Sequence, residues 1–244
     1  MSFEALALLS VAVLAIAVLY SSVGHAGASG YIAVMSLFEL APEEIKPVAL
    51  TLNILVASIT SFQFWRAGHF SFRIFWPFAL LAVPFAFLGG YLNLPVQLFK
   101  TLVGVVLLFS AAQFIFRPPA EGETLAPATA AALPIGAALG LLSGLTGTGG
   151  GIFLTPLLIF MHWARTTTAA SVSALFILLN SGAGLLGNFS ATRDYPAFAI
   201  VLAACAVVGG TLGSWMGSRR LQPMVIKRLL AAVLVIAGFK LIFA

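Results

Sequence analysis

The chain has 244 residues, of which 61% are hydrophobic and 8% charged, with a formal charge of +5 and a mean hydropathy of +1.10. A water-soluble domain carries about a quarter of its residues as charged groups, so this composition excludes a soluble protein and places the chain in a bilayer. The basic residues are scattered rather than gathered in a run, which makes them a topology signal and argues against nucleic acid as a partner.

Apolar runs of the length that crosses a hydrocarbon core recur at 3–20, 47–65, 74–92, 98–116, 127–143, 168–186, 196–217 and 224–243. They predict an all-α polytopic membrane protein with about eight transmembrane helices. The first run lacks a basic flank and carries Glu4, so it reads as a retained helix rather than a signal peptide. Two shorter apolar stretches, 31–38 and 152–161, each follow a glycine cluster and are too short to span alone; they predict half-helices or re-entrant segments. All seven acidic residues, Glu4, Glu39, Glu43, Glu44, Glu121, Glu123 and Asp194, fall at segment ends or in loops, which argues against a carboxylate relay or a carboxylate-lined cation site. No metal site and no cofactor motif is expected. The single cysteine, Cys205, can form no intrachain disulfide, and Trp65, Trp76, Trp163 and Trp215 near segment ends read as interfacial belt residues.

The two halves use the same landmarks in the same order. GHAGASG at 24–30 answers to GLTGTGGG at 144–151, GHFS at 68–71 to GNFS at 187–190, WP at 76–77 to YP at 195–196, and GG at 89–90 to GG at 209–210. The spacing from Gly27 to Gly68 is 41 and from Gly147 to Gly187 is 40, while Gly68 to Pro77 and Gly187 to Pro196 are both 9. We therefore expect two homologous four-helix repeats, 1–117 and 128–244, each with a glycine-rich break, joined by a polar linker at 118–127. Loop charges favour inverted over parallel repeats. That arrangement puts Arg66, Arg73, Arg117, Arg165, Arg219, Arg220, Lys227 and Arg228 on the cytoplasmic side and leaves Lys46, Lys100 and Arg193 outside.

A helix that begins inside the membrane leaves its first N–H groups without partners, and these together with the helix dipole favour negative charge. On this ground Gly24, His25, Gly27, Ser29 and Gly30 in the first half, and Thr146, Gly147, Thr148, Gly149, Gly150 and Gly151 in the second, are candidates to line the site of a small anionic substrate. The competing reading is that the glycines only let helices pack closely. The long segment after each break adds Thr51 and Asn53, and Ser173 and Asn180. Thr51 and Ser58 lie seven apart, as do Ser173 and Asn180, so each pair shares a helix face. Serines also glue membrane helices together, whereas an amide is costlier to desolvate, which makes Asn53 and Asn180 the less ambiguous candidates. His25 reads as a buried neutral histidine with a backbone partner, or as a group that contacts the anion or a proton.

Two other patterns point elsewhere. GASG at 27–30 matches the GxSG pattern of rhomboid-type intramembrane serine proteases, with Ser29 as nucleophile, but the motif sits near the first span and His25 is a poor base on a broken backbone. The GxxGxxG spacing lacks the preceding strand of a dinucleotide fingerprint. A non-transporting assembly role is the third possibility, and the sequence leaves the oligomeric state open. No catalytic residue is assigned.

The broken glycine stretch, its repetition as GLTGTGGGIFLTPLL, and the paired RAGHFSF and LLGNFSA loops resemble the sulfite exporter TauE/SafE family. The resemblance implies a multi-pass transporter of the cell (inner) membrane that moves small anions such as sulfite or organosulfonates, built from duplicated four-helix units. The first copy has GASGY where the second has GTGGGI, so the halves are not expected to play equal roles.

Overall fold

In the computed structural model, residues 3–22, 24–116, 124–191 and 196–217 are described, with 234–235, 238–239 and 242–243 from the last segment. They form helices α1 (Phe3–Ser22), α2 (Ala28–Leu37), α3 (Pro42–Arg66), α4 (Phe72–Tyr91), α5 (Val96–Phe116), α6 (Thr129–Thr146), α7 (Gly151–Phe160), α8 (Thr166–Ala191) and α9 (Ala199–Gly217). No strand occurs among the described residues. Six helices, α1, α3, α4, α6, α8 and α9, are long and apolar enough to cross a bilayer. Of the eight expected long segments, α5 contributes an apolar stretch over Val96–Ala112, and most of 224–243 lies outside the described residues. So do Arg117, Glu121, Glu123, Arg193, Asp194, Arg219, Arg220, Lys227 and Arg228, and with them most of the linker. The linker's end is fixed at Leu125, whose N–H donates to the His162 carbonyl at 3.0 Å in the turn after α7.

The two short apolar stretches are ten-residue helices, α2 and α7. Each starts at a glycine in the left-handed region, Gly27 at φ 104° and Gly150 at φ 78°, which an L side chain adopts only under strain. One expectation needs correction. GNFS at 187–190 is not a loop but the last turns of α8, whereas GHFS at 68–71 does form the connection from α3 to α4. The difference goes with packing: Gly68 adopts φ 76°, stops its helix and has open space around it, while Gly187 stays helical and lies so close to α4 that a Cβ there would collide with the Phe87 carbonyl oxygen.

Small residues bring the long helices together at backbone distance, as expected where lipid gives helices no hydrophobic reason to associate. On α6, Gly136, Gly140 and Gly144 recur every four residues, and a Cβ on each would overlap the carbonyl oxygens of Phe78, Ala82 and Ala86 on α4. On α9, Gly209 and Gly213 meet the Leu14 and Val18 carbonyls of α1 in the same way. The paired glycines Gly89 and Gly90 divide their contacts between α6 and α8, at Leu141 and Gly184; Gly209 and Gly210 divide theirs between α1 and α3, at Leu14 and Val56. Each half therefore packs its long helices mainly on the other half.

Helices α3 and α8 cross antiparallel at the centre. Lys46 and Asn188 line one cavity, Asn53 Nδ2 donates to Ser181 Oγ at 3.3 Å, and Ser61 and Ser171 line a second cavity at the opposite end. The N-terminus of α3 is set by Pro42 in its first turn and by Glu44, whose carboxylate accepts from the Ala41 N–H at 3.3 Å. Both are orthodox helix-start chemistry, and the two first-turn glutamates also complement the helix dipole.

This packing makes one glycine intolerant and another free. Gly140→Ala forces the α4–α6 seam apart and should lower the thermal midpoint in detergent, at a cost of about 1–3 kcal/mol, the usual range for overpacking. Gly182 has a helical backbone, and a Cβ added there would meet nothing within 4 Å, so Gly182→Ala should leave the midpoint unchanged or raise it. Equal effects from the two substitutions would contradict the seam.

Candidate functional site

The second break joins α6 to α7. Helix α6 ends at Gly147, φ 78°, whose N–H donates to the Ser143 carbonyl at 2.8 Å, and Gly149 at φ 74° and Gly150 at φ 78° carry the chain round to α7. Thr146 Oγ1 donates to Leu142 O at 2.7 Å and lies 2.9 Å from Thr148 Oγ1, so these two hydroxyls brace the turn. No side chain caps the N-terminus of α7.

Around this turn the structure gathers polar groups from α3 and α8. Asn53 Nδ2 donates to Gly147 O at 3.5 Å and to Ser181 Oγ at 3.3 Å. A Cβ on Gly149 would lie 2.8–3.0 Å from Ile177, Ser181 and Asn53, and one on Gly151 would collide with Ile177 and lie 3.3 Å from the Ser173 carbonyl oxygen. Ser173, Ile177, Asn180 and Ser181 fall on one face of α8. Several of these buried polar atoms have no hydrogen-bond partner among the described residues: both side-chain atoms of Asn180, Asn53 Oδ1, Ser143 Oγ and Ser173 Oγ. Asn53, Asn180, Ser143 and Ser173 are all fully buried. An unsatisfied buried polar group costs about 1–3 kcal/mol, so a concentration of them beside one turn marks a place that binds something polar.

The first break differs. His25 is buried and its N–H donates to Tyr20 O at 3.0 Å; Gly24, φ 84°, fits against Phe64 of α3 and Ala170 of α8. Ser29 Oγ and the Tyr20 hydroxyl are paired at 2.8 Å. This gives Ser29 a phenol for a neighbour, not a general base. Gly27 faces the Tyr31 ring, whose hydroxyl is buried without a partner. Gly30 is explained by packing, since a Cβ there would meet Ile16 at 2.5 Å and Tyr20 at 2.8 Å. Thr51 donates to Pro47 O at 3.0 Å within its own helix.

The contacts thus bring together Asn53, Gly147, Gly149 and Ser181, with Gly151 against Ser173. They tie the first break to the level of Phe64 and Ala170, eleven residues further along α3 than Asn53, about 16 Å at the helical rise. Tyr20, Tyr31 and Ser143 join the candidates only through the structure. So does Lys46, which is 5% exposed and donates from Nζ to Gly89 O at 3.1 Å, Gly90 O at 2.8 Å and Leu92 O at 3.0 Å. Its signal in the sequence was a cation one turn inside a helix that opens with two glutamates, where the dipole disfavours positive charge.

The family model described as sulfite exporter TauE/SafE matches residues 8–241. The chain belongs to this family. TauE/SafE proteins are membrane transporters and not enzymes, so this member is a multi-pass membrane transporter with a small-molecule substrate and the lipid bilayer as its solvent. Over 240 residues it is 38% identical to a protein of Sinorhizobium fredii named "Probable membrane transporter protein y4hK", with 96% of this chain and 97% of that one covered. No solved structure matches the chain.

The Tyr20–Ser29 pair yields a direct check. Ser29→Ala removes the bond to the buried Tyr20 hydroxyl and should lower stability by about 0.5–1.5 kcal/mol, and the same substitution in a Tyr20→Phe background should cost less, because that bond is already gone. A fluorophosphonate serine probe should not label the wild type. Covalent labelling at Ser29 would refute the non-catalytic role.

Proposed function

We propose that the chain is a secondary transporter, and specifically an exporter, of a small anion such as sulfite or an organosulfonate across the cell (inner) membrane. The anion binds near the bilayer midplane between two inverted repeats, 1–117 and 128–244, joined by the linker 118–127. The observation that carries this reading is the second break, where the uncapped start of α7 and the buried amides and hydroxyls of Asn53, Asn180, Ser173 and Ser181 surround a turn built from glycines. Backbone N–H groups, amide N–H groups and hydroxyls are the donors an oxyanion needs, and the positive end of α7 adds to them. The description of the family points to sulfite as the first compound to try.

The exchange of packing partners supports the repeats. Swapping the halves maps the α4–α6 seam onto α9–α1, the contact of Gly90 with α8 onto that of Gly210 with α3, and the α3–α8 crossing onto itself. Of these pairs α3 and α8 cross antiparallel, as inversion requires of equivalent helices. A fixed site between two such units can be opened to either side by rocking one against the other. An inside-negative potential of 100 mV favours anion exit by about 2.3 kcal/mol per charge, which makes export the downhill direction.

Two experiments test this reading. In proteoliposomes, wild-type protein should carry sulfite or a short alkanesulfonate and show a raised melting midpoint in their presence. Gly149→Val, which drives a side chain into Asn53, Ser181 and Ile177, should lose flux by more than tenfold while remaining monodisperse; undiminished flux from the folded variant would remove the site. For the repeats, Ser71→Cys and Ser190→Cys, each in a Cys205→Ala background, should be labelled by an impermeant maleimide from opposite sides of the membrane. Labelling from one side means parallel repeats.

A further inference from the structure

The polar atoms at the second break are neutral amides, hydroxyls and backbone groups, yet an anion taken out of water needs a positive charge near it or a very large cost remains. We propose that Lys46 supplies that charge, acting through space as the fixed counter-ion of the anion rather than as a ligand to it.

The three hydrogen bonds of Lys46 run to the carbonyl oxygens of Gly89, Gly90 and Leu92 at the end of α4. An ammonium has three donors, and these bonds use all of them. The cage is made of neutral dipoles, so it satisfies the donors and fixes the head group without cancelling the unit charge. Burial keeps solvent from screening it. The backbone places it next to the site: a Cβ on Gly147 would lie 3.3 Å from the Lys46 carbonyl oxygen and 3.5 Å from its Cα. Asn53, which donates to Gly147 O, is seven residues further along the same face of α3, about 10 Å away.

A cavity of about 160 Å³ opens beside the cage, lined by Lys46 with Asn93, Leu145 and Asn188 among others. It is large enough for a small oxyanion with water, and Leu145 connects its wall to the second break. Glu43 also lines it but is exposed, so solvent screens its charge more than that of Lys46. The pattern is one-sided. The basic residue at the matching place in the other half, Arg165, is exposed and precedes α8. The positive potential belongs to the second break and its cavity, and so does the anion's resting position.

The inference rests on the reading of the second break as the anion site, and its test separates the two. Isothermal titration in detergent measures affinity for methanesulfonate, a monoanion, and sulfate, a dianion, in wild type, Lys46→Gln and Lys46→Arg. Glutamine can still donate to the carbonyl cage, which favours folding. A unit charge about 10 Å from the anion at an effective dielectric near 20 is worth on the order of tenfold in affinity. Lys46→Gln should therefore weaken methanesulfonate about tenfold and sulfate about a hundredfold, while Lys46→Arg keeps the wild-type ratio of the two. A structural role alone predicts equal weakening of both anions, and that result overturns the proposal. If Lys46→Gln does not fold, Lys46→Met, which removes the charge and brings no donor of its own to be satisfied, must weaken sulfate more than methanesulfonate, and equal effects overturn the proposal there too. Wild type that binds neither anion refutes the anion-site reading itself and this inference with it, whereas wild type that binds both with an unchanged ratio in the variants refutes only the role of Lys46.

Discussion

A backbone that stops being helical inside a bilayer has to be enclosed by protein, because lipid offers nothing for its exposed N–H and C=O groups. Every other feature of this chain follows from that requirement. The turns at Gly24–Gly27 and Gly147–Gly150 are buried, and what encloses them is the antiparallel pair α3–α8. That pair gives a polar surface of Asn53, Ser173, Asn180 and Ser181 to the second turn, and Phe64 and Ala170 to the first. The remaining long helices close the outside, held at backbone distance by glycines whose carbonyl partners leave no room for even a methyl group.

Much of this could be read in the sequence because its causes are local. Apolar run length marked the helices, a glycine cluster before a short run marked α2 and α7, and repetition of those marks disclosed the shared plan of the halves. The family match extends well beyond those motifs, over residues 8–241. What stayed hidden depends on contacts between distant segments. Nothing near Gly187 says that it continues a helix while Gly68 ends one, since the deciding neighbour is the Phe87 carbonyl on α4. Ser29 and Tyr20 are nine residues apart across a break, and no periodicity relates them. Gly30 carried the same sequence credentials as Gly27, yet its space is filled by Ile16 and Tyr20.

The two breaks both turn on left-handed glycines and differ in chemistry. The first is lined by phenols, aromatic rings and a buried histidine; the second by amides, hydroxyls and the neighbourhood of a caged lysine.

The exchange of seams between the halves also bears on how the protein is made. Helix α1 leaves the ribosome well before α9, yet the glycines that fit its Leu14 and Val18 carbonyls are on α9. Until α9 arrives, α1 and its buried Ser10 and Ser21 must be accommodated by lipid or by the insertion machinery, their hydroxyls turned back on their own helix at Leu6 and Ala17. These internal bonds let a polar residue wait in hydrocarbon without a neighbour. The α1–α9 contacts join segments far apart in sequence, so this part of assembly is governed by closure of a long loop. A ribosome that stops short of α9 leaves behind a helix without its main partner.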